Sequence, residues 1–409
     1  MLTHDCFLPH LVQLSKPGSH LTSLGFYWDP VKGLMVEFPR DSILRRLHKV
    51  TSYAHHFSVI LTLLQTAIAR EKDLSKMMIS SFGLIIICFC TICVRVYDRN
   101  LKKCVMLINE LVKTAKEFRE PGTRVLDTKE KFIKFLAPIF HWSAMAVPFA
   151  FVGGVVWSVP CMSSNFGYFL LKECSPTLKK SYECLGEVGG VTPVLNSMDY
   201  LTKFLFLATN LWIWSYSVQC AVFIVIGVVM LGAMSIRSFL KYYERQMLLS
   251  TPNSCGSTSK NQKTLLKNAL IYRRLQLLTS RFNYIHQLQI LVPLLFTVTS
   301  HQVFSVYGTI KFKGQLNFVS YALFVILGSQ GFLVIMGMFT ALADVFSMSN
   351  QVKKKLEKKH RCHKWLRRFH AACPIIKIRF GRLNFIDTIT PLVFENFAFV
   401  QTTNILMVE

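Results

Sequence analysis

The stretch Lys353 to Cys373 reads KKKLEKKHRCHKWLRRFHAAC, and its His360, Cys362, His363, His370 and Cys373 are the densest group of potential metal ligands in the chain. Four such side chains could hold zinc, but the spacing gives neither a CxxC nor an HxxxH pair, so no metal site is expected. The basic run around them could meet nucleic acid or lipid phosphate. Elsewhere His55, His56 and His141 are histidines that could move protons. No Gly-rich phosphate loop, GxSxG or HExxH accompanies them, so the sequence predicts no enzyme and calls for no cofactor.

The elements around these residues decide their meaning. Of 409 residues, 52% are hydrophobic and 17% charged, and the mean hydropathy is +0.37. Such a chain is too apolar for an ordinary soluble protein and predicts an all-α membrane fold. Crossing a bilayer takes about 20 mostly apolar residues per helix, and seven segments fit: 51–69, 77–96, 133–159, 204–235, 288–310, 317–346 and 384–408. Pro138, Pro148 and Gly153-Gly154 should kink the third, and Pro293 the fifth. The last holds Asp387, Glu395, Asn396, Gln401 and Asn404, and should face protein or water rather than lipid.

Lys and Arg alternate in density between the two sides. The segments 1–50, 97–132, 236–287 and 347–383 carry about 6, 9, 9 and 12, against about 9 in all for the opposite side. This bias places the N-terminus in the cytosol and the C-terminus outside. It also spreads the net charge of +25 over every inner segment, which argues against a nucleic-acid partner. The basic stretch thereby becomes an inner connector, with Trp365, Leu366 and Phe369 expected to pack inward and Lys/Arg to meet lipid phosphate or solvent. The chain divides into a cytosolic segment 1–50, helices over 51–346 with cytosolic extensions, a basic connector 347–383, and a final helix 384–409.

Two inner segments carry helical stripes, Leu107, Leu111 and Ala115 in 100–120 and Leu270, Leu275 and Leu278 in 268–292. These predict helices that extend into a cytosolic anchor bundle. Of the 12 cysteines, Cys88, Cys90, Cys93 and Cys220 lie in apolar runs and read as small buried hydrophobes. Cys161, Cys174 and Cys184 share an outer loop, where one disulfide is expected without its pairing being legible.

Aromatic residues crowd the outer halves of the spans: Phe149, Phe151 and Trp157, Trp212, Trp214 and Tyr216, Phe304 and Tyr307, Tyr321 and Phe324. They can serve as an interfacial belt or line a cavity for a small organic ligand. On the last helix Phe397, Gln401, Asn404 or Ile405, and Val408 share one face, as if lining a water path with apolar constrictions. The alternative is a buried helix whose amides bond its neighbours.

The ending FGRLNFIDTITPLVFENFAFVQTTNILMVE, with the seven spans and an inner N-terminus, resembles the arthropod gustatory-receptor branch of the insect chemoreceptor superfamily. Gly381, Phe385 and Asp387 resemble the family's Gly-Phe opening, and Thr402 to Val408 follow its Thr-Tyr-hydrophobic register. Asn404 stands where Tyr is expected, and Glu409 falls about one residue short of the family's Gln-Phe. The resemblance implies a plasma-membrane, tetrameric, ligand-gated, non-selective cation channel of taste type. Its ligand would be a tastant or odorant, its partners identical or related subunits and membrane lipid. Phe397, Gln401, Asn404, Ile405 and Val408 become pore-facing, and Glu409 adds carboxylates at the outer mouth. A solute carrier should show internal repeats, which are not seen between the halves. A G-protein-coupled receptor has the reverse charge bias, and the YDRN at Tyr97 follows the second span rather than the third.

Overall fold

The computed structural model describes residues 25–38, 74–118, 215–250, 259–314, 318–359 and 364–408, with isolated positions before residue 58 and residue 208. These residues are predominantly helical. In chain order they comprise a hairpin of β1 (Phe26–Asp29) and β2 (Leu34–Glu37), then α1 (Leu74–Arg99), α2 (Leu101–Glu117), α3 (Ser215–Leu249), α4 (Ser259–His286) and α5 (Leu291–Lys311). After these come α6 (Phe318–Leu333), α7 (Thr340–Lys359), α8 (Lys364–Ala372), the short strands β3 (Arg379–Phe380) and β4 (Asn384–Phe385), and α9 (Thr390–Val408).

α3 and the helix built from α6 and α7 are each long and apolar enough to cross a membrane, and both contain a π-helical stretch, Phe223–Met230 and Val334–Phe339. α4 and α5 pass the same test together but bend by 57° between them. The fifth span was expected to kink at Pro293, and the break falls just before it, leaving Pro293 in the first turn of α5. Proline fits there because the first N–H groups of a helix lack intrahelical acceptors. The expected span 77–96 lies within α1, and from residue 318 the expected span 317–346 runs through α6, the π-helical stretch and the start of α7. The segment 133–159 lies outside the described residues, as does nearly all of 51–69.

Beyond the apolar level, α2, the second half of α3, α4 and α7 form a bundle. α3 runs through its middle and buries Ile236, Phe239, Leu240, Tyr243 and Met247 completely. α2 contributes Leu107, Leu111 and Ala115, the stripe read from sequence. On α4 the packed line is Ala269, Tyr272, Leu275, Leu278 and Phe282, while Leu270 is exposed. At about 100° per residue, Leu270 lies well off the face that carries Leu275. Arg281 pairs with Glu110 and Arg274 with Glu117, tying α4 to α2. Lys355 reaches Glu244 at 2.7 Å and Arg237 reaches Asp344 at 3.4 Å, tying α3 to α7. The Arg237–Asp344 pair is the buried one, so losing one partner costs more than at an exposed pair.

Two asparagines dock extended chain onto this bundle. Asn109 of α2 accepts the Met35 N–H at 2.8 Å and donates to the Met35 carbonyl at 2.9 Å, holding the β1–β2 hairpin. Asn283 of α4 does the same for the segment before β3. α8 buries Leu366 and His370, with Phe369 half-buried. Trp365 was expected to pack inward. It lies 51% exposed, stacked on Phe369 with 5.7 Å between ring centroids, because Leu366 and His370, one turn apart, define the packed face.

Candidate functional site

The site centres on α9 and on what holds it. Asp387 caps its start: one carboxylate oxygen accepts the N–H groups of Ile389 and Thr390 at 3.2 and 2.9 Å and the Thr390 hydroxyl at 2.6 Å. The Thr390 hydroxyl in turn accepts the Asp387 N–H, giving a reciprocal capping box. Upstream, β3 and β4 meet across a turn in which Gly381 takes a φ of +65°, a conformation that favours glycine. The Gly381 N–H bonds the Gln287 carbonyl at the α4–α5 break. Ile378 and Ile386 are fully buried beneath the strands, and Phe380 and Phe339 both pack on Phe394 of α9.

The connector from α8 is stitched into the bundle. Ser349 accepts the Ile376 N–H at 2.9 Å, while Tyr272 and Gln276 both donate to the Pro374 carbonyl at 3.1 Å. Asn283 then donates to Lys377 O and accepts from Arg379 N–H, each at 3.0 Å. Burial pushes the Tyr243 hydroxyl well up from the ordinary tyrosine range and raises that of Tyr272, so both stay neutral. At the end of α4, His286 accepts a hydrogen bond from Tyr97 at 3.2 Å and donates from Nδ1 to Phe282 O at 2.8 Å, an arrangement of the neutral ring. Burial lowers its pKa from 6.5 to about 4.

α9 has two faces. Pro391, Ala398 and Thr402 are buried, with Phe394 and Glu395 half-buried on the same side. The opposite side exposes Val393, Asn396, Phe397, Val400, Asn404, Met407 and Val408. Phe397, Asn404 and Val408, three of the residues predicted to share a line, thus stand on the open face, and Gln401 is half-buried at its border. Ile405 leaves that line: it lies about 100° round from Asn404, towards α5, and packs with Leu406 and Phe304 against the Tyr307–Phe312 cluster. Glu409 lies outside the described residues.

Of the aromatic candidates, Tyr307 therefore belongs to the cluster that meets α9, and Phe304 packs on that same cluster. Phe324 of α6 lies against Gly308 of α5, where an added Cβ would fall 2.8 Å from its ring. Gly328 and Gly331 of α6 approach Ser305 and Gln302 in the same way, a small-residue contact of the kind that joins membrane helices. Phe324 and Tyr216 are almost fully buried packing residues and Tyr321 is half-buried. Phe149, Phe151, Trp157, Trp212 and Trp214 lie outside the described residues, as do Cys161, Cys174 and Cys184.

Cys88, Cys90, Cys93, Cys104, Cys220 and Cys373 are free thiols, and all but Cys88 are buried. No three metal-ligating side chains converge among the described residues. Sequence reasoning missed the connector 374–386 as a positioning element. The Phe380-Gly381 pair next to Asn384-Phe385 was the available signal for its turn.

The architecture is a helical membrane fold in which a polar bundle grips the foot of a final, half-open helix. It is similar to a solved structure of the insect olfactory receptor OR5 from Machilis hrabei in complex with eugenol, with a TM-score of 0.56 at 10% sequence identity, covering 97% of this chain and 98% of that one. A second structure of OR5 from Machilis hrabei gives a TM-score of 0.55 at 10% identity and 97% coverage of each chain. Neither protein-family models nor curated protein sequences match the chain. The chain has the insect olfactory-receptor fold.

Proposed function

We propose that this protein is a chemosensory receptor subunit of the plasma membrane, a ligand-gated cation channel of taste type in which four copies bring their α9 helices around one pore. The observation that carries the reading is the open face of α9. Phe397 is 51% and Val408 87% exposed, on a helix whose other face is packed against its own subunit. Apolar side chains alternating with Asn396 and Asn404 suit a path that is wet between dry constrictions, and symmetry would bury the face without filling it. The lysine and arginine bias supports a cytosolic bundle and an outer ligand site.

The ligand is a small organic molecule held among the outer aromatics, a reading supported by the complex of OR5 with eugenol. The Tyr307–Phe312 cluster supports a direct route to the gate, since Ile405 and Leu406 of α9 pack on it and Phe304 packs on it too. Identical or related subunits complete the tetramer, and lipid surrounds it. Patch recording from cells expressing the chain, alone and with related subunits, against a panel of tastants and odorants tests the reading. A ligand-evoked cation current insensitive to G-protein blockade is expected. Saturable uptake without current would overturn it.

A further inference from the structure

Behind α9, away from its open face, Glu395 meets Gln302 of α5. The Gln302 amide nitrogen donates to one Glu395 carboxyl oxygen at 2.6 Å. Gln302 is only 9% exposed, and its carbonyl oxygen is buried without a hydrogen-bond partner, as is the second Glu395 oxygen. Two orphaned acceptors on one bonded pair are costly inside a membrane fold. A single proton removes both deficits. Placed on the second Glu395 oxygen, it is donated to the Gln302 carbonyl, closing an acid–amide ring of two hydrogen bonds.

We infer that Glu395 and Gln302 form a proton-closed latch that holds the pore helix back against α5. The inference rests on the channel reading of α9 for its consequence, not for its geometry. The latch sits on the packed side of α9, opposite Val400 and Asn404, so it draws the helix away from the axis that the open face would surround. When the proton leaves to water, a carboxylate oxygen faces the Gln302 carbonyl, the two repel, and α9 is released towards the axis. Other titratable groups on the elements packed against α9 are His301, Tyr307 and Lys311 of α5 and Arg379 of β3, and the π-helical stretch Val334–Phe339 has none. Glu395 is the only titratable side chain within α9 itself. Its half-buried position gives the proton a way out. Gln302 and Glu395 are thus positioning residues, with no contact to ligand or permeating ion required.

Two measurements on the full-length receptor test this. In the infrared difference spectrum between wild type and Glu395→Gln at neutral pH, wild type shows a protonated-carboxyl stretch that vanishes at alkaline pH. Its absence overturns the latch, whatever the chain conducts. In excised inside-out patches, raising cytosolic-face pH lowers the ligand-evoked wild-type current about fivefold or more, the effect of one hydrogen bond on an equilibrium. Glu395→Gln keeps an amide ring with nothing to titrate, and its current stays flat with pH. Parallel pH curves in the two proteins overturn the gating role. The infrared band without current in any variant would retire the channel reading and leave the proton-closed pair in place.

Discussion

Removing the Asn283 side chain should loosen the foot of α9. Asn283 is 9% exposed and makes two hydrogen bonds to the connector, donating to Lys377 O and accepting from Arg379 N–H. Asn283→Ala removes both. At about 1 kcal/mol net per bond, and up to twice that where the orphaned backbone group stays dry, the loss is about 2–4 kcal/mol. Heating the purified receptor and following the folded fraction by size exclusion should give Asn283→Ala a lower midpoint than wild type. Limited trypsin digestion reads the local effect, because Arg379 and Arg382 are exposed on this connector and should be cut faster in Asn283→Ala. Equal midpoints and equal cleavage in wild type and Asn283→Ala would refute the idea that this amide anchors α9.

His286 is neutral when folded, with a pKa of about 4 against 6.5 for the free side chain. Its contribution is intact above pH about 6.5 and is lost as pH falls towards 4, a total of about 3 kcal/mol, and His286→Gln should flatten that acid limb of a thermal stability curve. Gly308→Val should cost about 1–3 kcal/mol of stability by driving a side chain into Phe324, and adding Phe324→Leu should recover part of the lost melting midpoint. Asn404→Leu should dry the open line of α9, lowering single-channel conductance while leaving the ligand concentration for half activation unchanged.

What was legible in the sequence follows from periodicity. Leu107, Leu111 and Ala115 repeat at four-residue intervals, and α2 buries all three. Leu270 and Leu275 are five apart, and that slip turned one of them to solvent. The β1–β2 hairpin was read only as part of the cytosolic segment 1–50, although Asp29-Pro30 and the later Gly33 mark a turn: Asp29 accepts the N–H groups of Val31 and Lys32, and Gly33 takes a φ of +60°. The β3–β4 connector gave less warning, because strands of two residues have no measurable alternation. Its stability comes from Asn283, Ser349 and Tyr272, which lie about 25 to 105 residues away in sequence and meet it only in the fold. The π-helical stretches in α3 and after α6 carry no compositional mark at all.

The polar residues of α9 show why sequence alone left pore and packing equally open. Counted together, Glu395, Asn396, Gln401, Thr402 and Asn404 make the helix unsuited to lipid whichever way they point. The fold divides them. Thr402 turns inward and bonds the Ala398 carbonyl of its own helix, needing no partner elsewhere. Glu395 turns inward and takes Gln302, a residue whose burial against Gly331 could not be foreseen from α9 alone. Asn396 and Asn404 stay exposed, and Gln401 sits between. The two readings fall on different residues: one set fastens the helix to its subunit, and the other stays exposed, as the proposed pore wall would require. A helix with only the first set would be a buried strut, and with only the second it would have nothing to hold it back from the axis. The combination is what a movable pore wall requires.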